Sequence, residues 1–417
     1  MPARRKRILY VQRPNGGGTA TGLYDLVRTL DTSLYEPVVL FYRANRFCER
    51  FRHLGARVLV LEGPTSARPL PGPIRGVVSG LRTSRRLKQL NRLVRNDWPL
   101  ARRIARLIRQ EAVDLVHHND NPRADRASII AARLAGMPQI CHVRALGEYF
   151  RPIDRRLSSW VSSYIYMSRV IERHWRDAIG IAADRGEVVY DPFDFTALGD
   201  GDRASPRLRA EFGLAEDARV ISNVGRLVPW KGQDVFLQAM SEVVRAYPNV
   251  RVLIVGAPNP QPAGQDYYQR LERLTVRLGL SGHVIFTGHR SDIPEIMAAS
   301  DIVVHSASEP EPFGRVVVEA MAAARPVVAT AAGGVLEIVD DQETGLLVPL
   351  EDPAAMAGAI RQLLGDPAKA RAMGRRARQE VRRRFAPTRF VEAMERVYGR
   401  VLNGRSLETR HSPHRTN

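Results

Sequence analysis

The chain has 417 residues, 44% hydrophobic and 26% charged, with a formal net charge of +19. That length exceeds the roughly 250 to 300 residues at which one core stops growing, so two domains are expected, and the composition excludes an intrinsically disordered chain. Two distant cysteines, Cys48 and Cys141, exclude a disulfide framework or a zinc knuckle.

The apolar run Ile8 to Val11 is too short for a signal peptide. The longest apolar stretch, Ala320 to Val339, is broken by Arg325 and Pro326, so it does not read as a membrane span. A cytoplasmic protein is the expectation. Only four of the 63 basic residues are lysines, and basic residues outnumber the 44 acids. That excess favours an anionic partner.

Short apolar runs alternate with helix-period segments, the pattern of a parallel-sheet α/β protein. In the first half strands are predicted at Ile8 to Gln12, Val38 to Tyr42, Val58 to Leu61, Asp114 to His117, Gln139 to Val143, Tyr164 to Met167 and Val188 to Tyr190. In the second they fall at Val220 to Val224, Arg251 to Val255, Val284 to Thr287, Ile302 to His305, Pro326 to Thr330 and Gly345 to Val348. Thr196 to Ser205 has linker composition. The expected domains are therefore 1–197 and 206–385. Phe390, Met394, Val397, Tyr398 and Val401 recur at helical spacing, which predicts a final helix over 386–404 packing back on the first domain, then a disordered tail, 405–417.

Between the third and fourth strands lies a basic stretch running from Arg75 to Arg109. Leu100, Ile104, Leu107 and Ile108 repeat at helical spacing behind a predicted Asp97 cap, which puts Arg102, Arg103, Arg106 and Arg109 on the other face. An ordinary solvated face and a contact with an anionic membrane surface are the two main readings. No nucleic-acid partner is expected.

Two segments carry the chemistry. Gly225-Arg226-Leu227, continuing to Lys231-Gly232, follows a strand directly, where ligands of open α/β sheets bind; an Arg fork and a Lys ammonium suit a diphosphate. Glu311-Pro312-Phe313-Gly314 then turns from a strand end into a helix, whose first amides and dipole suit phosphate, with Gly314 allowing close approach. Glu319, on that helix among Val316, Val317, Val318, Ala320 and Met321, should have a partner. A carboxylate there can accept from both hydroxyls of a ribose. No Asp/His cluster has metal-ligand spacing, and neither a metal nor another cofactor is expected.

With these motifs the sequence resembles glycosyltransferase family four, the retaining GT-B group. Gly225 to Leu227 with Lys231-Gly232, Glu311 to Gly314 with Glu319-Ala320-Met321, Pro326 to Thr330 with Gly333-Gly334 and Glu337, Thr287-Gly288, and Gly345 to Val348 all fit, in order, over Arg219 to Leu350. In the first half Asn15 to Gly18 and Asp114 to His117 match. The resemblance implies two Rossmann-like doubly wound domains facing a central cleft. It implies that Arg226 and Lys231 hold the leaving diphosphate, Glu319 the ribose, and Glu311 the donor sugar. Gly314, Arg315 and Val316 would lend amides to phosphate, Arg290 would lie near the base, and Gly17 would face the diphosphate from the other domain. Where the family often has a His beside the donor sugar, two residues beyond His117, this chain has Asn119. His117 and Asn119 are thus candidate catalytic groups, and His118, His142 and Arg144 candidate acceptor-side groups, each His being equally readable as structural.

The implied activity is transfer of a sugar from a nucleotide diphosphate sugar, UDP- or GDP-linked, to an acceptor that is lipid-linked or a cell-envelope or exopolysaccharide precursor. The protein would then be cytoplasmic and peripheral on the inner face of the cell membrane. A GT-B nucleotide-sugar epimerase and a non-catalytic basic binding module are the rivals.

Overall fold

The structure is a computed structural model, and it describes residues 4–13, 18–61, 93–147, 152–193, 195, 206–259 and 262–408. Gly17, the linker 196–205 and the basic residues from Arg75 to Arg92 lie outside the described residues. The chain forms two compact units, Met1–Pro192 with Pro387–Asn417, and Phe193–Ala386.

Among the described residues unit 1 holds seven parallel strands: β1 (Lys6–Gln12), β2 (Tyr35–Phe41), β3 (Arg57–Val60), β4 (Leu115–His118), β5 (Gln139–Val143), β6 (Ser163–Tyr166) and β7 (Gly186–Val188). Their order is β3-β2-β1-β4-β5-β6-β7, a doubly wound sheet whose order reverses between β1 and β4. Ile8, Leu9, Tyr10 and Val11 are all wholly buried, because helices cover both faces of such a sheet. Those helices are α1 (Gly18–Thr29), α2 (Phe47–His53), α3 (Trp98–Gln110), α4 (Arg126–Ala135), α5 (Pro152–Ser158) and α6 (Arg169–Ile179). Asp97 does not cap α3: its own backbone is helical, it makes no side-chain cap bond, and its carboxylate lies 3.9 Å from Arg126.

Unit 2 repeats the plan with β8 (Arg219–Val224), β9 (Val250–Val255), β10 (Val284–Gly288), β11 (Ile302–His305), β12 (Val327–Thr330) and β13 (Leu346–Val348), ordered β10-β9-β8-β11-β12-β13. Its helices are α7 (Pro206–Glu211), α8 (Gln233–Ala246), α9 (Pro262–Arg277), α10 (Ile293–Ala299), α11 (Arg315–Ala322), α12 (Pro353–Gly365) and α13 (Pro367–Arg384). The unit begins at Phe193, before the expected boundary at 197. Aromatic packing is the reason: Phe193 stacks on Phe313 at 6.1 Å and meets Phe385 edge-on at 5.9 Å.

The last helix, α14 (Pro387–Glu408), returns to unit 1. Phe390, Met394, Val397, Tyr398 and Val401 join the core formed by β1, β2 and α1. The helix runs four residues beyond the expected 404, because each added turn propagates backbone hydrogen bonds whether or not a side chain packs. No described helix is long and apolar enough to cross a membrane.

Candidate functional site

The order of the second sheet reverses between β8 and β11, and ligands of such sheets bind outside the strand ends at this point. β8 and β11 pair only through Ile221 and Ser222. Beyond that register Asn223 takes over, its amide donating to the Val304 carbonyl and to Ser306 Oγ, both at 2.9 Å. Ser306 Oγ in turn donates to the Lys231 carbonyl at 2.9 Å, and the Ser308 amide to the Trp230 carbonyl at 3.0 Å. The turn Pro229–Lys231 is therefore clipped to the loop after β11. Gly232 closes it in the left-handed region, φ +63°, and starts α8.

This scaffold brings together residues separated by about eighty positions. Lys231 Nζ donates to both carboxylate oxygens of Glu311 at 2.7 Å and lies 4.4 Å from the centre of the Trp230 ring. His305, the last residue of β11, bonds Glu311 Oε2 through Nε2 at 2.7 Å, and its Nδ1 meets Thr330 Oγ1 at 3.2 Å. An ionised carboxylate only accepts, so Nε2 carries a proton and donates it to Glu311, while the Thr330 hydroxyl holds the ring at Nδ1. Burial raises the Glu311 pKa, but the His305 hydrogen bond and the Lys231 charge outweigh it and bring the group down to about 2. The ionised form thus stabilises the fold above the ordinary carboxylate range, and this contribution is lost as pH falls towards about 2.

After Glu311 the chain turns into α11. Gly314 has φ +110°, and a Cβ on it would point at Val335 and Ile338, so its lack of a side chain serves the turn and the packing beneath. The amides of Val317 and Val318 bond the Gly314 carbonyl, and Arg315 and Val316 form the first turn of α11. The argument that Glu319 sits among apolar neighbours also fails. Val317, Val318, Ala320 and Met321 are buried, but at 100° per residue they face the other way. Glu319 is one-third exposed beside Arg315, whose Nε is 3.9 Å away, so it needs no buried partner.

Arg226 follows β8 with its side chain exposed. Arg290 is held within unit 2 by two carboxylates. Its guanidinium donates to both oxygens of Asp292, at 2.8 and 2.7 Å, and to Glu211, and these bonds hold Asp292 well below the usual carboxylate range. Its fork links α7 to the start of α10.

The residue 204–380 segment matches the profile "Glycosyl transferases group 1", and residues 16–196 match "Glycosyltransferase Family 4". The chain belongs to glycosyltransferase family four. It is 40% identical over 182 residues to a D-inositol 3-phosphate glycosyltransferase of Mycobacteroides abscessus, covering 43% of this chain and 39% of that one. With the protein of that name from Mycolicibacterium smegmatis it is 32% identical over 294 residues, 70% of this chain and 63% of the other. The chain thus spans about half the length of the curated relatives it matches. Among solved structures, Anabaena Alr3699/HepE in complex with UDP and glucose superposes with a TM-score of 0.77 at 26% identity, over 95% of this chain and all of that one.

In unit 1 of this family member, the residues expected on the acceptor side form buried networks. His117 is wholly buried; its Nδ1 bonds the Tyr398 hydroxyl at 2.9 Å, and that hydroxyl lies 3.1 Å from the Tyr10 hydroxyl. Burial pushes its pKa well below the usual value, so it is neutral. His118, one residue on, faces the opposite side of the sheet. Its nitrogens bond Ser128 Oγ at 2.9 Å and Gln139 Oε1 at 2.8 Å, and burial lowers its pKa to about 4. It is a structural histidine, not an acceptor group.

Asn119 and Arg144 bridge strand ends. The Asn119 amide donates to Gln12 Oε1 at 2.6 Å and to the Thr19 carbonyl at 3.0 Å, and its oxygen accepts from Arg144 Nε at 2.6 Å. Arg144 also pairs with Asp191 at 2.5 Å and reaches His142 at 3.3 Å. All three side chains are buried. His142 is kept neutral by burial and by that guanidinium. Gly22 of α1 lies against the ion pair so closely that a Cβ would sit 2.5 Å from Arg144 Nη1.

His305 and Asp191 are not singled out by the sequence, and Asn223, Thr330 and Tyr398 only as members of a motif or a helical repeat. His305 carried a signal, its place at a strand end of a doubly wound sheet. The others are joined to their partners only by the fold. Among the described residues, no three His, Cys, Asp or Glu side chains are placed to hold a metal ion.

Proposed function

We propose that the protein is a retaining glycosyltransferase that transfers a hexose from a UDP-sugar. The observation that carries this reading is the clipped Lys231–Glu311–His305 group at the β8/β11 switch point. Lys231, with Arg226 and the amides of Arg315 and Val316, would bind the diphosphate. As the bond from sugar C1 to the diphosphate breaks, its electron pair goes to the departing oxygen. Preorganised cations and amides stabilise that growing charge, each donor contributing roughly 3 to 4 kcal/mol. The acceptor hydroxyl bonds C1 on the same face and its proton passes to the diphosphate, giving a glycoside and UDP. A uridine donor is favoured over a guanosine one because Alr3699/HepE, 26% identical, is in complex with UDP and glucose. Proton NMR of UDP-glucose turnover with an acceptor panel tests it. The product should keep the α configuration of the donor; a β-linked product would overturn retention.

The acceptor is read as an anionic or lipid-linked molecule at a membrane surface. Relatives are named for inositol 3-phosphate, and α3 supports this reading. Ala101, Ile104, Ala105 and Ile108 face the core, while Arg102, Arg106 and Arg109 are exposed. Beside them Trp98 is 38% exposed and Val94 58%, so apolar side chains accompany the cations, as at an interfacial helix. The protein should sediment with anionic vesicles and not neutral ones, salt should release it, and Gln at positions 102, 106 and 109 should abolish the attachment. Wild type that ignores anionic vesicles at low salt would remove the membrane surface from the account.

A further inference from the structure

We propose that His305 is a positioning residue that keeps Glu311 anchored as an anion while Lys231 exchanges that carboxylate for the diphosphate of the donor. This rests on the reading of Lys231 as a diphosphate ligand.

Without ligand, the Lys231 ammonium is held by both oxygens of Glu311. Its backbone is pinned by Ser306 and by the left-handed Gly232, so the ammonium can reach a new partner only by turning its side chain. When it turns, Glu311, whose side chain is 12% exposed, loses its bonded cation. A buried carboxylate left without partners either takes up a proton or moves towards water. One bonded partner remains, His305 Nε2, on a ring that is 4% exposed. Thr330 occupies Nδ1, which holds the ring with Nε2–H pointing at Glu311. The ionisable groups bonded to Glu311 are thus Lys231, from the turn after β8, and His305, from the end of β11; Thr330 of β12 is uncharged. The arrangement lets the cation leave without the anion shifting.

The test is isothermal titration of the full chain with UDP at mildly acidic pH, in two buffers of different ionisation enthalpy, so that proton uptake on binding is counted. His305→Leu should bind UDP roughly tenfold more weakly and should take up more protons than wild type, because Glu311 is now protonated as Lys231 leaves it. His305→Gln keeps an N–H donor and should match wild type on both counts. Thr330→Val should move in the same direction as His305→Leu by a smaller amount, and serves should His305→Leu not fold. Wild-type affinity and proton count in His305→Leu, or in Thr330→Val where it stands in, overturn the proposal, as does equal damage from His305→Gln and His305→Leu. UDP binding that is absent in wild type, or unchanged in Lys231→Met, overturns the parent reading and this one with it. Those two results are seen without any His305 variant, so the failures are distinguishable.

Discussion

Asp191→Ala should destabilise unit 1 by about 3–5 kcal/mol, the usual cost of removing one partner from a buried ion pair. For a unit of this size that corresponds to a fall in the unfolding midpoint on the order of 10 °C. Asp191 is wholly buried, and its partner Arg144 is simultaneously committed to Asn119 and His142. Truncation therefore strands a guanidinium in the core and loosens the Asn119 bridge to Gln12 and Thr19. The surface pair Arg4–Asp114, at 3.0 Å with Arg4 66% exposed, is the control: Arg4→Ala should cost no more than about 1 kcal/mol. Replacing both buried partners, Arg144→Met with Asp191→Leu, should recover part of the loss, since two apolar side chains leave no stranded charge. Recovery stays partial because Asn119 then lacks its donor. Calorimetry of the three variants decides. A cost in Asp191→Ala no larger than that of Arg4→Ala would show that the pair does not hold the strand ends.

Gly232→Ala should cut UDP-glucose turnover on the order of a hundredfold, the scale of misplacing a reacting group by about an ångström. A Cβ there would stand 2.0 Å from the Ser306 carbonyl oxygen and 3.3 Å from the Ser308 amide. All these atoms are backbone, so no side chain can swing aside. The loop after β11 must separate from the Pro229–Lys231 turn, breaking the bonds from Ser306 to the Lys231 carbonyl and from Ser308 to Trp230. Gly288 is the matched control, with φ +68° and no atom within 4 Å of its would-be Cβ. Gly288→Ala should show only the left-handed backbone cost of about 1–2 kcal/mol. Turnover falling equally in both variants would mean that the clip does not position Lys231.

The contrast between what the chain announces and what it hides follows from the range of each interaction. The central strands are legible because a strand buried on both faces must be apolar along its whole length, and the runs at Ile8 and Val252 carry that mark locally, whereas the half-buried β7 shares only Val188 with the predicted run Val188 to Tyr190. The last helix is legible for the same reason, since Phe390 to Val401 repeat at the helical period. Reasoning from chain neighbours fails where the fold rotates them apart. Glu319 reads as crowded by valines that lie on the opposite side of α11. His118 reads as a companion of His117, although adjacent strand residues point to opposite faces. Pairs such as Arg144 with Asp191, 47 positions apart, or His117 with Tyr398, 281 apart, have no local signal, because only the packed sheet and the returning helix bring them together. Arg226, Lys231 and Glu311 were readable from their strand-end and loop contexts, but the pairing of Lys231 with Glu311, 80 positions apart, and the histidine that joins them were not.

The central claim is that unit 2 takes a nucleoside diphosphate through Lys231. Titration of UDP into wild type and into Lys231→Met, with circular dichroism confirming the fold of both, tests it most directly. Wild type should show one saturable site, and Lys231→Met should bind at least tenfold more weakly, the consequence of removing a charge-assisted bond to phosphate. Equal UDP affinity in the two proteins would contradict the account.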